Sequence, residues 1–287
     1  MQNIPIHTWG GFGSQLFALA LHIDLLRERN LRTHLVCHTS GITKRRAELS
    51  ELSSTITIKE MDDFTSEFSP DNGNRAKTKM ALRRIVDKLG LISNSNTDEE
   101  YKKVSFLVRQ FRGHYSFRHI QRQTLVQMND MLDLNLQNTF IKLSELQRIE
   151  HNSLSLHYRL GDLVSAKEKT FVTPERILKA IESTRVTNQI ATFRLSSDSA
   201  DEAINLLGNV GIKKLDWHTL TGNSLDVISE FQCTEVFIGT NSKLSLWIVL
   251  LRLHFSNTQE NWLPYEMRES VIKNFRDVSW SRRIRFY

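Results

Sequence analysis

Residues 155–162 read Ser-Leu-His-Tyr-Arg-Leu-Gly-Asp, and this segment decides how the chain is interpreted. The apolar residues at 154 and 156 predict a buried strand that ends at His157. The strand is followed directly by a turn that contains Arg159 and Gly161. An arginine held at a strand end presents a planar fork to phosphate oxygens, and glycine lets the backbone turn closely around a ligand. The segment therefore suggests a phosphate site, although it is not specific for one when taken alone.

The segment belongs to a chain whose pattern alternates between strands and helices. In the second half, strands are predicted at 154–157, 192–196, 214–217 and 235–239, and helices at 174–183, 199–207, 224–232 and 244–254. In the first half, the pattern predicts strands at 4–9 and 33–37, a glycine turn at 10–13, helices at 15–29, 121–135 and 143–150, and a basic helix between flexible loops within 67–100. Such alternation is typical of an α/β fold with a parallel doubly wound sheet, which binds ligands at the carboxyl ends of its strands.

The length and composition of the chain indicate two globular domains. At 287 residues, the chain is long enough for two domains that each bury a core. Because the strand pattern restarts at about residue 150, we predict an N-terminal domain over 1–150 and a C-terminal domain over 151–287. A hydrophobic content of 40% with 24% charged residues is typical of a folded protein and excludes extended disorder.

The cysteine pattern and the apolar segments favour a cytoplasmic protein. Cys37 and Cys233 are far apart and belong to no Cys-x-x-Cys or Cys/His cluster, so neither a disulfide framework nor a zinc site is indicated. The first residues lack a basic segment followed by an apolar one, and we expect no secretory signal. The longest apolar run, 244–255, contains Arg252, and we expect no membrane-spanning segment.

The net charge of +6 favours an anionic partner, which can be nucleic acid, acidic lipid or a phosphorylated substrate. The chain contains no recognisable nucleic-acid-binding module. Its aromatic residues are not interleaved with basic ones, as a platform for stacked bases requires. We therefore expect no nucleic-acid partner.

Three polar segments fall at predicted carboxyl ends of strands, at 157–162, 196–198 and 239–242. Alternation along the strand places His157 and Arg159 on one side, where the histidine can contact a ligand or support the arginine. The alternative is a buried histidine beside a surface arginine. Asp162 can pair with Arg159, cap the next segment or accept a proton from a hydroxyl, and a structural role is the favoured one.

The other two strand ends also have a functional and a structural interpretation. Ser197 and Asp198 can bind ribose or base hydroxyls, or cap the next helix. At 239–245, Asn241 or Ser242 can cap the apolar helix. Alternatively, the backbone amides, Ser242 and Ser245 can contact a diphosphate attracted to the positive end of that helix.

A glycine-rich segment, Gly-Gly-Phe-Gly-Ser-Gln at residues 10–15, joins the first predicted strand to the first helix. Its amides can face an anion or a sugar hydroxyl. The spacing differs from the dinucleotide fingerprint Gly-x-Gly-x-x-Gly, and a plain tight turn explains the glycines equally well.

In chain order, these segments resemble the α-1,2-fucosyltransferases of glycosyltransferase family 11 and their bacterial polysaccharide relatives. Residues 10–17 are similar to the family's Gly-Gly-Leu-Gly-Asn-Gln-Leu-Phe, and residues 113–116, Gly-His-Tyr-Ser, to its Gly-Tyr-Trp-Gln-Ser. Residues 157–162 resemble its His-Val-Arg-Arg-Gly-Asp, residues 193–198 its strand ending in Ser-Asp-Asp, and residues 241–247 its Asn-Ser-Ser-Phe-Ser-Trp-Trp. The resemblance covers most of the chain except about 47–105.

The resemblance implies a GT-B architecture, in which two Rossmann-like domains face a cleft and the second binds the donor. It implies inverting, metal-independent transfer of L-fucose from GDP-fucose, in α-1,2 linkage, to a hydroxyl of a cell-surface glycan such as O-antigen or capsule, with no cofactor. Arg159 would neutralise the leaving diphosphate. The catalytic candidates are Arg159 and Asp162. The donor-binding candidates are His157, Arg159, Ser197, Asp198, Asn241, Ser242 and Ser245. The acceptor or cleft candidates are Gly11, Gly13, Ser14, Gln15, His114 and Tyr115.

The chain departs from the family pattern at Ser14, where the family has Asn, and at Leu160, where it has a second Arg. Tyr158 is also bulkier than the usual Val. The alternatives are therefore a GT-B enzyme with a different nucleotide-sugar donor and a non-catalytic relative that binds nucleotides or glycans. The expected partners are a nucleotide sugar and a glycan acceptor that is lipid-linked.

The last residues, 282–287, read Arg-Arg-Ile-Arg-Phe-Tyr. Basic and aromatic residues together suit an anionic membrane surface, and this favours peripheral association with the inner face of the membrane. The alternative is a last segment docked on the protein.

Overall fold

The computed structural model divides the chain into two compact units, Met1–Met131 and Leu132–Tyr287. The structure describes residues 3–39, 46–52, 56–62, 91–105, 107–136, 149–160, 171–184, 189–212, 217–255, 259–275 and 283–287. Each unit is built on a parallel sheet with helices between strands, so the predicted α/β class is confirmed. The domain boundary near residue 150 stays a prediction, because residues 137–148 lie outside the described part.

The first unit has a five-stranded sheet in the order β3-β2-β1-β5-β4, and its strand pairs are parallel. Its strands are β1 Ile4–Trp9, β2 Thr33–His38, β3 Ile58–Met61, β4 Ile92–Ser93 and β5 Gln110–Arg112. Its α-helices are Phe12–Arg29 and Asp98–Lys102, a 3₁₀ helix covers Glu48–Leu52, and the division between the units at Met131 falls within the α-helix Arg122–Leu136.

The link between β1 and the first helix is tighter than the sequence pattern predicts. The expected turn over 10–13 is wrong in its second half, because the helix begins at Phe12. Gly10 adopts a φ of 95°, a left-handed conformation that glycine tolerates, and Gly11 is the residue that caps the helix. The backbone amides of the helix start therefore lie directly after the carboxyl end of β1.

The second unit has a six-stranded sheet in the order β11-β10-β9-β6-β7-β8, again with parallel pairs. Its strands are β6 Glu150–His157, β7 Thr192–Ser196, β8 Trp217–Thr219, β9 Thr234–Gly239, β10 Glu260–Leu263 and β11 Ile284–Phe286. Its helices are Pro174–Glu182, Ala200–Asn209, Ser224–Gln232, Lys243–Phe255 and Arg268–Asn274, with a 3₁₀ turn at Tyr265–Met267.

Three element predictions need correction. The helix predicted over 143–150 is wrong at its end, because Glu150 already belongs to β6 and pairs with Thr234. The strand predicted over 214–217 is wrong at its carboxyl end, because β8 continues from Trp217 to Thr219, and residues 213–216 lie outside the described part. Within 67–100, residues up to 90 are not described, and the remainder contains the short strand β4 and the start of a helix capped by Thr97.

The last segment, 283–287, docks on the second unit rather than extending from it. Its strand β11 pairs with β10, the Tyr287 hydroxyl donates to the Gly239 carbonyl over 3.0 Å, and Arg176 donates to the Tyr287 carbonyl over 2.8 Å. This is the docked alternative, and the proposed membrane contact stays a prediction. No helix within the described part of the chain has the length and apolar character that crossing a bilayer requires.

Candidate functional site

The candidate site lies at the carboxyl ends of three neighbouring strands in the second unit. Strand β6 is central, with β9 on one side and β7 on the other. His157 is in register with Gly239 of β9 and with Ser196 of β7. The described parts of the three polar segments therefore follow adjacent strand ends, which is where open parallel sheets bind ligands. Gly161 and Asp162 lie outside the described residues, and the role of Asp162 stays a prediction.

Thr240 fixes the backbone on which Arg159 stands. Its hydroxyl accepts a hydrogen bond from the Arg159 amide over 3.0 Å and donates to the His157 carbonyl over 3.0 Å. The Thr240 amide also donates to that carbonyl over 3.1 Å. Thr240 is buried, so these hydrogen bonds are protected from water. The half-buried Arg159 side chain therefore extends from a backbone that is held at the sheet edge.

Asp198 and Ser197 organise the neighbouring turn. One carboxylate oxygen of Asp198 accepts from the Leu160 amide over 2.8 Å, and the Ser197 hydroxyl accepts from the Ser199 amide over 3.1 Å. These contacts position backbone after β6 and β7. Contact of Asp198 with a nucleoside stays a prediction.

Ser242 caps the helix Lys243–Phe255, whereas the sequence left Asn241 and Ser242 as alternatives. The Ser242 hydroxyl accepts from the Leu244 amide over 3.1 Å, and its side chain is buried. The helix is 13 residues long, and its positive end lies just beyond the end of β9. Asn241 is half-buried beside it.

His157 forms a neutral, buried support beneath this edge. Its Nδ1 lies 2.7 Å from the hydroxyl oxygen of Ser245, which is completely buried. Burial lowers the pKa of His157 to about 4, although the nearby Asp198 charge opposes that shift. The imidazole is therefore uncharged at neutral pH, and it adds no positive charge next to Arg159.

Gly239 lets the helix Lys243–Phe255 approach the end of β9. A Cβ atom at this position would lie 2.7 Å from Cβ of Ser245 and 2.9 Å from side-chain carbons of Leu263 and Phe237. Such distances require the packed side chains or the helix to move. The close approach is therefore available only to glycine.

We expect Gly239→Ala to lower the free energy of unfolding by about 1–3 kcal/mol, because overpacking in a close-packed interior costs that amount. Chemical denaturation of the purified variant measures the effect. Gly222→Ala is not a neutral comparison, since its Cβ would lie 2.5 Å from a carboxylate oxygen of Asp226, whereas nothing lies within 4 Å of a Cβ at Gly11. Gly11→Ala is therefore the control for packing alone: it adds no close contact, and its cost is limited to the poorer helix capping by alanine. A loss in Gly239→Ala that does not exceed this capping cost would contradict the packing explanation.

Lys243 is a candidate that the sequence interpretation missed. It is the first residue of the helix, where a positive charge opposes the helix dipole. Burial lowers its pKa to about 8, and the positive charge of Arg159 contributes to the same shift. The sequence feature that could have identified this candidate is a lysine at the start of a helix, where its charge is unfavourable. Two cations and the positive helix end thus converge at one edge, an arrangement that favours an anion.

In the first unit, Gln15 stabilises the chain's own backbone. Its buried side-chain amide donates to the carbonyls of Gly10 and Arg46 over 3.2 and 2.8 Å and accepts from the Leu49 amide over 3.1 Å. Gly13 is buried and Ser14 is half-buried in the same helix. Contact of this segment with an acceptor stays a prediction.

The candidates His114 and Tyr115 lie beyond β5. Asn96 accepts hydrogen bonds from both of their amides, over 2.8 and 2.9 Å. Tyr115 is buried with a φ of 55°, and its hydroxyl donates to the His7 carbonyl over 2.7 Å. Tyr115 therefore supports β1, while the exposed His114 side chain is accessible to a ligand.

A cluster of aromatic rings at the carboxyl ends of β1 and β2 was also missed. Nδ1 of His7 lies 2.9 Å from Nε2 of His38, and the rings of Trp9 and His38 stack with centroids 4.6 Å apart and an interplanar angle of 8°. The alternation of His7 and Trp9 was visible in the sequence, but their meeting with His38 depends on sheet register. In the described part of the chain, no group of three or more His, Cys, Asp or Glu side chains is arranged to hold a metal ion.

No protein-family model and no curated protein sequence matches the chain. Among solved structures, POFUT1 in complex with GDP matches with a TM-score of 0.39 and 12% identity, over 90% of this chain and 96% of that one. The E. coli heptosyltransferase WaaC with ADP matches with a TM-score of 0.47 and 10% identity, over 99% and 92%. A putative UDP-N-acetylglucosamine 2-epimerase from Listeria monocytogenes matches with a TM-score of 0.38 and 10% identity, over 88% and 78%. At identities of 10–12% and TM-scores below 0.5, these likenesses assign neither a family nor an activity to the chain.

Proposed function

We propose that the chain is a glycosyltransferase that moves a sugar from a nucleotide sugar to a hydroxyl group of a glycan acceptor. The observation that carries the proposal is the convergence of Arg159 and Lys243 at the end of β6 and the start of the helix Lys243–Phe255. Nucleotide sugars carry a diphosphate, and this edge offers that group a guanidinium fork, an ammonium group and a helix start.

The same groups have a role in catalysis. When the bond between the anomeric carbon and the diphosphate breaks, negative charge develops on the diphosphate. Cations already held in place stabilise that charge without reorganisation, which is the effect of preorganised electrostatics. Thr240 supplies the preorganisation at Arg159 through its hydrogen bond to the amide. We propose that these protein cations replace a metal ion, and that the acceptor attacks from the opposite face with inversion.

For the finer specificity, we propose L-fucose from GDP-fucose in α-1,2 linkage, on the support of the five family-like sequence segments. Leu160 removes the family's second arginine, but Lys243 stands where the family has serine. The second positive charge is thus supplied by the helix rather than by the turn. The proposed setting is the cytoplasm, with a lipid-linked surface glycan as acceptor at the inner face of the membrane.

Two differences from the family pattern favour one alternative, a glycosyltransferase with a different donor. Ser14 replaces the family's Asn, and the second positive charge is Lys243 on the helix instead of an arginine at position 160. A panel of GDP-, UDP-, ADP- and dTDP-sugars, tested in EDTA, separates the possibilities. Release of the nucleoside diphosphate measures the turnover of each sugar. We expect one donor class to turn over without added metal, with inverted anomeric configuration by NMR. Binding of a nucleotide without turnover of any donor would instead indicate a non-catalytic binder.

The lowered pKa of Lys243 predicts that donor affinity falls at alkaline pH. With a pKa of about 8, Lys243 of the protein without donor is mostly charged at pH 7 and mostly neutral at pH 9.5. A bound diphosphate favours the charged form, so binding at pH 9.5 requires proton uptake and affinity falls on the order of tenfold. Calorimetric titration with the donor that turns over measures this.

The matched control is Lys243→Met, which keeps the length of the side chain and removes its charge. It should bind the donor weakly at pH 7 and show little further loss up to pH 9.5. The same pH dependence in wild type and variant would show that another group titrates.

A further inference from the structure

The side chain of Tyr287 reaches the candidate site of the second unit from the end of the last segment. Tyr287 follows β11, and its hydroxyl donates to the carbonyl of Gly239 over 3.0 Å. Gly239 is the last residue of β9 and the register partner of His157. The Tyr287 ring also packs against the hydrophobic core of this unit. A residue that the sequence analysis did not connect with the site therefore contacts a strand end on which the site is built.

Contacts with three neighbouring residues fix Tyr287 itself. Its amide donates to the Leu263 carbonyl over 3.1 Å, and its carbonyl accepts from the Tyr265 amide over 3.0 Å and from the Arg176 guanidinium over 2.8 Å. The guanidinium of Arg176 also lies 5.7 Å from the centre of the Tyr287 ring, within the range of a cation–π interaction. Burial raises the pKa of Tyr287, so its hydroxyl stays protonated and remains a donor.

A short series of hydrogen bonds connects the Tyr287 hydroxyl with Arg159. The hydroxyl binds the carbonyl of the peptide between Gly239 and Thr240, and the N–H of the same peptide donates to the His157 carbonyl over 3.1 Å. The Thr240 hydroxyl then accepts from the Arg159 amide over 3.0 Å. Hydrogen bonds in series polarise and strengthen one another. Loss of the Tyr287 hydroxyl therefore frees one side of the peptide that carries Thr240, and the backbone of Arg159 loses part of its support.

We propose that Tyr287 is a positioning residue of the candidate site and acts on the diphosphate through Arg159, an inference that rests on the proposed function. The Tyr287 hydroxyl sets the orientation of the peptide 239–240. That peptide in turn sets the direction in which the Arg159 side chain leaves the edge of the sheet. Because a fixed cation stabilises developing charge only when it is held at the right place, a displaced backbone weakens both binding of the diphosphate and the transfer step. The last segment is thus a part of the site.

The test is a double-mutant cycle with Tyr287→Phe and Arg159→Ala. Two quantities are measured: kcat/KM for the donor that turns over, and the calorimetric affinity for the nucleoside diphosphate that binds. Tyr287→Phe keeps the ring and removes the hydroxyl, so in the wild-type background we expect both quantities to fall by about fivefold to tenfold, as loss of one hydrogen bond requires. In the Arg159→Ala background, the same substitution should change either quantity by less than about twofold, because the group that it positions is gone.

Tyr265→Phe is the matched control, because the Tyr265 side chain is exposed and its hydroxyl accepts a long hydrogen bond of 3.4 Å from Arg268 at the surface. It should behave as wild type in rate and affinity. Equal losses from Tyr287→Phe in both backgrounds would indicate a role in general stability and overturn the proposal, as would no loss in the wild-type background. If wild type turns over no donor but binds a nucleotide, the proposed function fails and the affinities alone decide the role of Tyr287. If wild type binds none, both proposals fail.

Discussion

Replacing Arg159 by alanine is expected to lower kcat/KM for the nucleotide sugar by about 10²–10³-fold, the cost of losing one preorganised group that stabilises transition-state charge. The Arg159 amide, which Thr240 binds over 3.0 Å, remains in the variant, so the backbone of the turn should be retained. Only the guanidinium is removed. Initial rates of nucleoside diphosphate release, with donor varied around KM, measure the loss.

The matched variant is Arg159→Lys, which keeps the charge but loses the planar fork. It should recover part of the lost activity, because an ammonium group contacts phosphate as a point charge and not bidentately. The melting temperatures of both variants should stay close to that of wild type, since Arg159 is half-buried at the sheet edge. Wild-type turnover in Arg159→Ala would remove the arginine from the mechanism.

Replacing Arg252 by methionine is expected to destabilise the protein by about 3–5 kcal/mol, because several buried hydrogen-bond acceptors lose their donor together. The guanidinium is completely buried, and burial lowers its pKa to about 9. It donates to Asn261 over 2.7 Å, to Thr234 over 3.1 Å and to the Phe231 carbonyl. Weaker contacts reach the carbonyls of Glu235 and Glu260 over 3.3 and 3.4 Å. Methionine leaves these acceptors buried without a donor, and each such loss costs about 1–3 kcal/mol.

Denaturant unfolding measures this loss, and a drop in melting temperature of about 10 °C accompanies it. Arg268→Met is the control, because Arg268 is exposed and its contacts with Tyr265, a ring contact at 5.7 Å and a long hydrogen bond of 3.4 Å to the hydroxyl, lie at the surface. A surface change of this kind stays within about 0.5 kcal/mol. Equal stability of the two variants would show that the Arg252 network does not hold β9 and β10 together.

The long, regular elements could be predicted from the sequence, and the short strands could not. Strand β1 and the helix Ser224–Gln232 have the predicted bounds, because apolar periodicity and the Asn223 cap define them locally. Strands β3, β5, β10 and β11 are three or four residues long, and they form because a neighbouring strand pairs with them. The neighbouring strand is remote in sequence, so no local sequence pattern predicts the pairing.

The same distinction applies to the candidate sites. Arg159 could be identified because a strand, a turn and a charged residue follow one another in the chain. Lys243 could be noticed as an unfavourable lysine at a helix start, but it could not be assigned to the site, because that assignment depends on its burial and on Arg159, 84 residues away by numbering. The His7–His38 hydrogen bond joins residues 31 positions apart, and only the parallel register of β1 and β2 brings them together.

The central claim is that the edge formed by β6 and the helix Lys243–Phe255 binds the diphosphate of a sugar nucleotide. Calorimetric titration of GDP, UDP, ADP and dTDP, in EDTA at pH 7, into wild type and the Arg159→Ala/Lys243→Met double variant tests it most directly. We predict that at least one nucleoside diphosphate binds wild type and that its affinity falls at least about 100-fold in the folded double variant, as loss of two charge-assisted contacts requires. Equal affinity in the two proteins, or no binding to wild type, would contradict the claim.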